Sequence, residues 1–595
     1  MNSPTLHYQL SIFSWQQHLF DVTLTVPSHK TQTLNLTLPS WIPGSYMVRD
    51  FAKNIVSLSA TNTDTGDSIN CIKTDKQTWQ ANTQGQALTI TYRVYANDLS
   101  VRSAFINDEY AFINGTSAFL SVEGFEERPC KLQIIKPAIT NWRAYTSMPL
   151  TNDVHDSWEY EVKDYAEFID HPIYIGVCNL HSFDVDGVTF ELLFSGRNNL
   201  DLERIANDLT PICRHHMQLF GDPQPMQRYL FMTLLADTGF GGLEHRDSTA
   251  LLFPRFDLPM VGESETKTDG YITFLSLCSH ELFHTWHVKR IKPEVMVKPD
   301  LQKETYTNQL WIYEGFTSFY DDVTLARAGT ITPQKYLDIV SQNLTRLLQN
   351  AGRFKQSVAE SSFDAWTKFY KQDASATNSI VSYYTKGGII AFGLDLLLRE
   401  KSNNDVTLDS LMRHLWEQYG RDEKGTPDDV IAAICEQDFN IDISDYLADV
   451  VYGTKDVPLE NWLSNIGVEL LTRSKVSAED KGGKTSGEGV KRQLGANCKP
   501  APLGLTVTQV FEGLAASDAG LMVNDTIIAV NGYVVNQVKL QRILDSTNTG
   551  QVSISLIRDG RLLTGDLDVR NAREDVCYFS VVDESKLAAW LGLSK

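Results

Sequence analysis

Five residues, His280-Glu281-Leu282-Phe283-His284, have the types and spacing that metal-assisted hydrolysis requires. Histidines four apart on a helix project from one face, close enough to share one metal ion. Neutral imidazoles suit zinc, and a glutamate beside the first of them can act as general base toward water at the metal. The surroundings read as a helix. Tyr271–Arg290 contains neither Gly nor Pro and carries Ile272, Leu275, Leu282, Phe283 and Trp286. Pro293 follows, and Lys289 and Arg290 would fall in the last turn, where cations complement the helix dipole. Two histidines and a glutamate are costly to bury there without partners, which weighs against a chance match.

A catalytic zinc takes three protein ligands and keeps one position open. The metzincin continuation would put Gly and a third His where His287 and Arg290 stand, so it fails. His287 would lie on roughly the same side of the helix, contacting a ligand or substrate or packing within the helix. Glu314 is the better third ligand. It stands among aromatics in Trp311-Ile312-Tyr313-Glu314-Gly315-Phe316, where a buried carboxylate calls for a cation; a cap or surface position is the alternative. His280, His284 and Glu314 would hold one zinc ion per chain in a gluzincin-type site, with Glu281 as base. Asp321 or Asp322, about two turns on, would orient a histidine ligand or be solvated.

A second constellation lies upstream. Tyr229–Ala236 and Thr249–Phe253 read as strands, and the segment between them carries Gly239, Gly241 and Gly242. Glycines let another backbone approach closely, so a substrate peptide could pair with this edge along Gly241 and Gly242. Glu244 would stand near the end of that peptide, where a carboxylate pairs with a protonated α-amine, and His245 would be a further contact. Taken alone, an ordinary hairpin with a polar tip is the plainer account of these residues.

The stretch from His280 to Pro293, followed by Trp311–Asp322, resembles the M61 family of metallopeptidases, the glycyl aminopeptidases, which are relatives of the M1 aminopeptidases. Twenty-nine residues separate His284 from Glu314, the longer connection of M61 rather than that of M1. Gly241-Gly242-Leu243-Glu244-His245 is similar to the M61 counterpart of the M1 exopeptidase motif, and this turns the reading of Glu244 toward amine recognition. Tyr383-Tyr384-Thr385-Lys386-Gly387-Gly388 resembles the M1 stretch whose tyrosine stabilises the oxyanion. That implies Tyr384 in this role, with Tyr383 as the alternative. The resemblance spans nearly the whole chain. It implies a zinc aminopeptidase acting on peptides with a free N-terminus and preferring Gly or Ala there. His287 stands where many members are expected to have Asn.

The elements that must position these residues imply a multidomain α+β chain. Alternating or β-rich runs at Leu19–Val26, Thr33–Leu38, Ile55–Ala60, Ala87–Tyr95 and Lys131–Ile135 give an N-terminal β-domain over residues 1–175. Within it, Trp41–Asp50 is turn-like. A thermolysin-like gluzincin catalytic domain follows over 176–330. A helical domain over 331–462, with patterns at Pro333–Gln349, Gly387–Arg399, Leu408–Tyr419 and Asp428–Glu436, would bring in Tyr384. With the strand-like Leu505–Val510, the small-residue run Ala515–Ala519 leading into Gly520-Leu521, and a strand ending in Asn531-Gly532, residues 463–572 resemble a PDZ domain, whose strand edge takes up a peptide. A polar, Gly-rich loop near 474–492 is expected to be mobile, and 573–595 is read as a tail.

Composition excludes several classes. With 53 basic and 74 acidic residues the net charge is −21, which disfavours nucleic acid and anionic membranes. No run approaches the ~18 apolar residues of a membrane span, and the start of the chain has no signal-peptide pattern. Eight cysteines without a Cys-x-x-Cys suit reduced thiols and a cytoplasmic location. Two other functions remain open: a zinc endopeptidase whose PDZ domain presents protein substrates, and a PDZ peptide-binding protein with a vestigial site.

Overall fold

A computed structural model describes residues 5–139 and 141–593. The architecture is multidomain α+β, and the chain divides into two compact units, Met1–Thr305 with Leu415–Thr426, and Tyr306–His414 with Pro427–Lys595.

In the first unit the expected alternation becomes a large sheet. Phe20, Val22, Leu24 and Val26 point inward from Leu19–Val26, as half-buried strands require. This strand joins an eight-stranded sheet in which Leu6–Ser14 and Cys130–Ile135 pair parallel. The segment 118–120 crosses the core beside this sheet, where its carbonyls would be costly to leave unpaired. Three buried tyrosines supply the donors: Tyr92 to Ala118 O, Tyr165 to Phe119 O and Tyr8 to Leu120 O.

Five further strands form a second sheet: β1 (Cys178–Val185), β2 (Val188–Ser195), β3 (Arg228–Ala236), β4 (Gly241–Glu244) and β5 (Ser248–Pro254), in spatial order β1-β2-β3-β5-β4. The parallel strand β3 is flanked on both sides, and its near-continuous apolar run is buried throughout. Helix α1 (Leu202–Phe220) makes the crossover from β2 to β3. The Gly-rich segment is thus itself a strand, β4, at the sheet edge and antiparallel to β5. Ile42, Val101, Tyr110 and Phe112 from the N-terminal region share one core with Leu230, Met232 and Leu243 of this sheet. Helix α2 (Asp269–Phe283), capped by the Thr268 hydroxyl accepting from Tyr271 N, carries the His-Glu-x-x-His motif.

In the second unit, α3 (Leu310–Tyr313), α4 (Gly315–Arg327), α5 (Pro333–Leu348) and α6 (Thr385–Ser402) form the helical part. Helices α4 and α6 meet backbone to backbone: a Cβ on Gly315 would lie 2.6 Å from Gly387 Cα. The segment expected as one helix from Leu408 is α-helical to Leu415 and then opens into a π-turn, Trp416–Gly420. The C-terminal six-stranded sheet contains Ala496–Ala501 at one edge, and this strand and helix Gln537–Ser546 line one groove. Val468–Arg473 pairs outside that sheet, with Val576–Val581. The closing helix Glu584–Leu591 buries Trp590, whose indole donates to Asp395 Oδ2 at 2.7 Å. Within the polar segment near 474–492, Asp480 accepts from Nη1 and Nη2 of Arg473 and from the backbone N–H of Val476 and Gly482.

Candidate active site

Helix α2 presents His280 and His284 side by side, their ring centroids 4.7 Å apart and nearly perpendicular. The helix ends at Phe283, with His284 as its C-cap, rather than running to Arg290 as its composition suggests. Lys289 and Arg290 therefore do not sit in a last helical turn, and His287 does not share the helix face. The reason is tertiary. Lys289 is drawn to Asp170 and Arg290 to Asp247, and Val288 takes φ 141° to allow the turn. The chain folds back so that the His287 carbonyl accepts from His284 Nδ1 at 2.7 Å. This bond places the proton on Nδ1 and leaves the Nε2 lone pair for a metal. His287 contributes its carbonyl, while its ring packs against Phe283.

Glu281, His284 and Glu244 come together: ligand atoms of the three lie within 4.8 Å of one another, all buried. Strand β4 runs at backbone contact over the carboxylate of Glu281. A Cβ on Gly242 would lie 1.9 Å from Glu281 Oε1, so only glycine fits at that position without displacing the acid. Glu244 is 4% exposed, and its Oε1 accepts no hydrogen bond from the protein. A buried carboxylate oxygen in that state is poised for a cationic donor.

His245 is buried and pairs through Nδ1 with Asp170 at 3.1 Å, leaving its Nε2 without a protein partner. Asp170 also accepts from Lys289 Nζ at 2.7 Å and from the Arg246 backbone N–H at 3.1 Å. One carboxylate thus ties the hairpin after Glu244 to the chain leaving the histidine helix. Nothing local marks Asp170, which stands 75 residues before His245 at the end of helix Tyr165–Ile169. Burial alone would raise its pKa, but the charges of Lys289 and His245 outweigh this and hold it well below the usual carboxylate range. A depressed carboxyl stabilises the fold above its unfolded pKa of about 4, and that contribution is lost as pH falls below this value. Asp170→Ala strands Lys289 in the interior and should cost about 3–5 kcal/mol. Thermal denaturation between pH 3 and 7 checks this: the melting temperature drops at neutral pH, and the wild type's loss of stability below about pH 4 becomes shallower.

In the second unit, Glu314 occupies the junction of α3 and α4 and is 2% exposed. Tyr383 and Tyr384 stack at the start of α6, but their surroundings differ. Tyr383 is fully buried against Phe369, whereas Tyr384 is half-buried with its hydroxyl 3.2 Å from that of Tyr370. Burial of the Tyr384 hydroxyl, with the charge of Glu314 adding to it, pushes this phenol well above the ordinary tyrosine value. Asp321 and Asp322 are both buried on α4.

Comparisons with known proteins agree with this architecture. A Peptidase M61 N-terminal domain model matches residues 7–177, the M61 glycyl aminopeptidase model residues 273–390 and a PDZ domain model residues 477–557. Among solved structures, an aminopeptidase N family protein from Idiomarina loihiensis is 40% identical, with a TM-score of 0.95; the match covers 98% of this chain and 100% of that one. An M1 zinc metallopeptidase from Deinococcus radiodurans is far more distant, at 13% identity and a TM-score of 0.45 over 73% of this chain and 90% of that one. No curated protein matches. The chain belongs to the M61 peptidase family and carries a C-terminal PDZ domain.

Proposed function

We propose that this protein is a zinc-dependent aminopeptidase that removes the N-terminal residue of peptides, with Gly favoured as the description of its matching family model suggests and Ala beside it from the resemblance. The observation that carries the reading is Glu244: a buried carboxylate with an open acceptor, beside Glu281 and His284. A protonated α-amine needs a buried anion to pair with, and Glu244 offers one.

Two imidazoles and a carboxylate suit zinc, and the bond from His284 Nδ1 to the His287 carbonyl leaves Nε2 ready for it. His280, His284 and Glu314 would hold one ion per chain, which when bound polarises the scissile carbonyl and acidifies water. Glu281 takes the proton from the attacking water and returns it to the leaving amine. Glu244 holds the substrate α-amine, and Gly241 and Gly242 run along the substrate backbone. His245, oriented by Asp170, borders the same region. Tyr384 donates to the developing oxyanion; the deeper burial of Tyr383 favours this choice.

In the PDZ domain, a groove of about 400 Å³ runs past Leu494, Ala496, Leu540 and Leu544, suited to an extended peptide segment. It supports a second role in recruiting protein substrates. No helix among the described residues is long and apolar enough to cross a membrane. All eight cysteines are free.

A panel of dipeptides with free and acetylated N-termini, assayed with and without chelator, tests the reading. Free-amine substrates should be cleaved, chelation should abolish cleavage and zinc should restore it. Glu314→Ala should emerge from purification with its metal content reduced by about tenfold or more. Cleavage of acetylated but not free-amine peptides would overturn the aminopeptidase assignment.

A further inference from the structure

The Trp41–Asp50 stretch, turn-like in sequence, has no part in the chemistry described so far, yet it reaches Glu244. Ile42 and Ser45 bridge across a tight turn, with Ser45 N–H donating to Ile42 O. Between them Gly44 takes φ 94°, a left-handed conformation that glycine adopts readily. A Cβ at Gly44 would lie 2.1 Å from Glu244 Oε1 and 2.7 Å from Oε2, so the turn backbone lies directly against the carboxylate. The turn is anchored behind by Trp41, whose indole donates to Asp300 O and Lys303 O. On its other side Arg102 spans turn and strand, its Nε donating to Ser45 Oγ at 2.9 Å and its Nη2 to Gly242 O at 2.8 Å. The Gly242 carbonyl is thereby taken, on a strand that otherwise stands at the sheet edge. Ile42 and Val101 share a core with Leu243, which holds these pieces in fixed relation.

We infer that the Ile42–Ser45 turn and Arg102 form the closed end of the substrate-amine site, so that a chain terminus fits against Glu244 and a continuing peptide does not. This rests on the aminopeptidase reading above and says what enforces it. Gly44 and Arg102 are positioning residues. Gly44 leaves the room in which the Glu244 carboxylate stands, and Arg102 ties that wall to β4, over the general base. The N-terminal β-region is then part of the specificity device.

Steady-state kinetics on a free-amine dipeptide substrate tests this with five variants of the full-length zinc enzyme. Gly44→Ala pushes a methyl into the carboxylate, and KM should rise by about tenfold or more with kcat changed far less. Glu244→Asp withdraws the carboxylate by one methylene and is costly alone. In the double variant the two losses should fall short of multiplying by about tenfold, because the shorter acid clears the new methyl. Arg102→Gln, which does not strain the turn, should raise KM by about fivefold and guards against a Gly44 variant that fails to fold. A KM within about twofold of wild type for both Gly44→Ala and Arg102→Gln, or single effects that simply multiply, overturns the inference. If instead Glu244→Gln leaves free-amine substrates unaffected, it is the amine-binding reading itself that fails.

Discussion

Replacing Glu281 by Gln should leave a folded, zinc-containing protein that hydrolyses peptides roughly 10³–10⁴-fold more slowly. Glutamine matches glutamate in size, so the contact with Gly242 is preserved and β4 need not move. What is lost is basicity: the amide can accept a hydrogen bond from water but cannot take its proton. The effect should therefore fall on kcat, with KM and metal content close to wild type. Metal analysis beside single-substrate kinetics separates this from a folding defect. A variant with full zinc and wild-type turnover would remove Glu281 from the chemistry and with it the catalytic account of the chain.

Glu244→Gln should lower kcat/KM on free-amine substrates by about two orders of magnitude, since truncating one side of a buried charge pair costs about 2–5 kcal/mol. The effect should be selective. Acetylated peptides, which bring no cation, should respond little. The pH profile supplies an independent readout. A peptide α-amine has a pKa of about 8, so wild-type kcat/KM should decline as pH rises through that value and the amine loses its charge. In the variant this alkaline limb should flatten, because a neutral amide gains little from a protonated amine. Loss of activity without this change would mean that Glu244 supports the fold rather than the substrate.

Much of the candidate site rests on short strings. His280, Glu281 and His284 lie within one helical turn, and their relation follows from helix geometry alone. Glu314 stood out because a carboxylate among aromatics conflicts with its surroundings unless a cation resolves it. The β-domain strands were legible because alternation at a period of two survives wherever one face is buried. Other features had no such signal. The helix was expected to reach Arg290 because no breaker precedes Pro293, yet it stops at Phe283. Its last residues are claimed by Asp170 and Asp247, carboxylates far away in sequence.

The amino-acid sequence pointed on its own to a peptidase, because the proposed reacting groups and metal donors are carried by motifs whose spacing matches a helix turn or a strand edge. Tertiary structure decided the rest. It showed that Gly242 of β4 leaves room for the Glu281 carboxylate, that Asp170 binds the Glu244 hairpin to the end of the histidine helix, and that the Gly44 turn lies against Glu244 while Arg102 ties that turn to β4. The physical reason is range. A motif is legible when its geometry is set by local backbone periodicity. Contacts between residues 140 positions apart, such as Arg102 and Gly242, are set by how whole layers pack and leave no periodic trace in the chain.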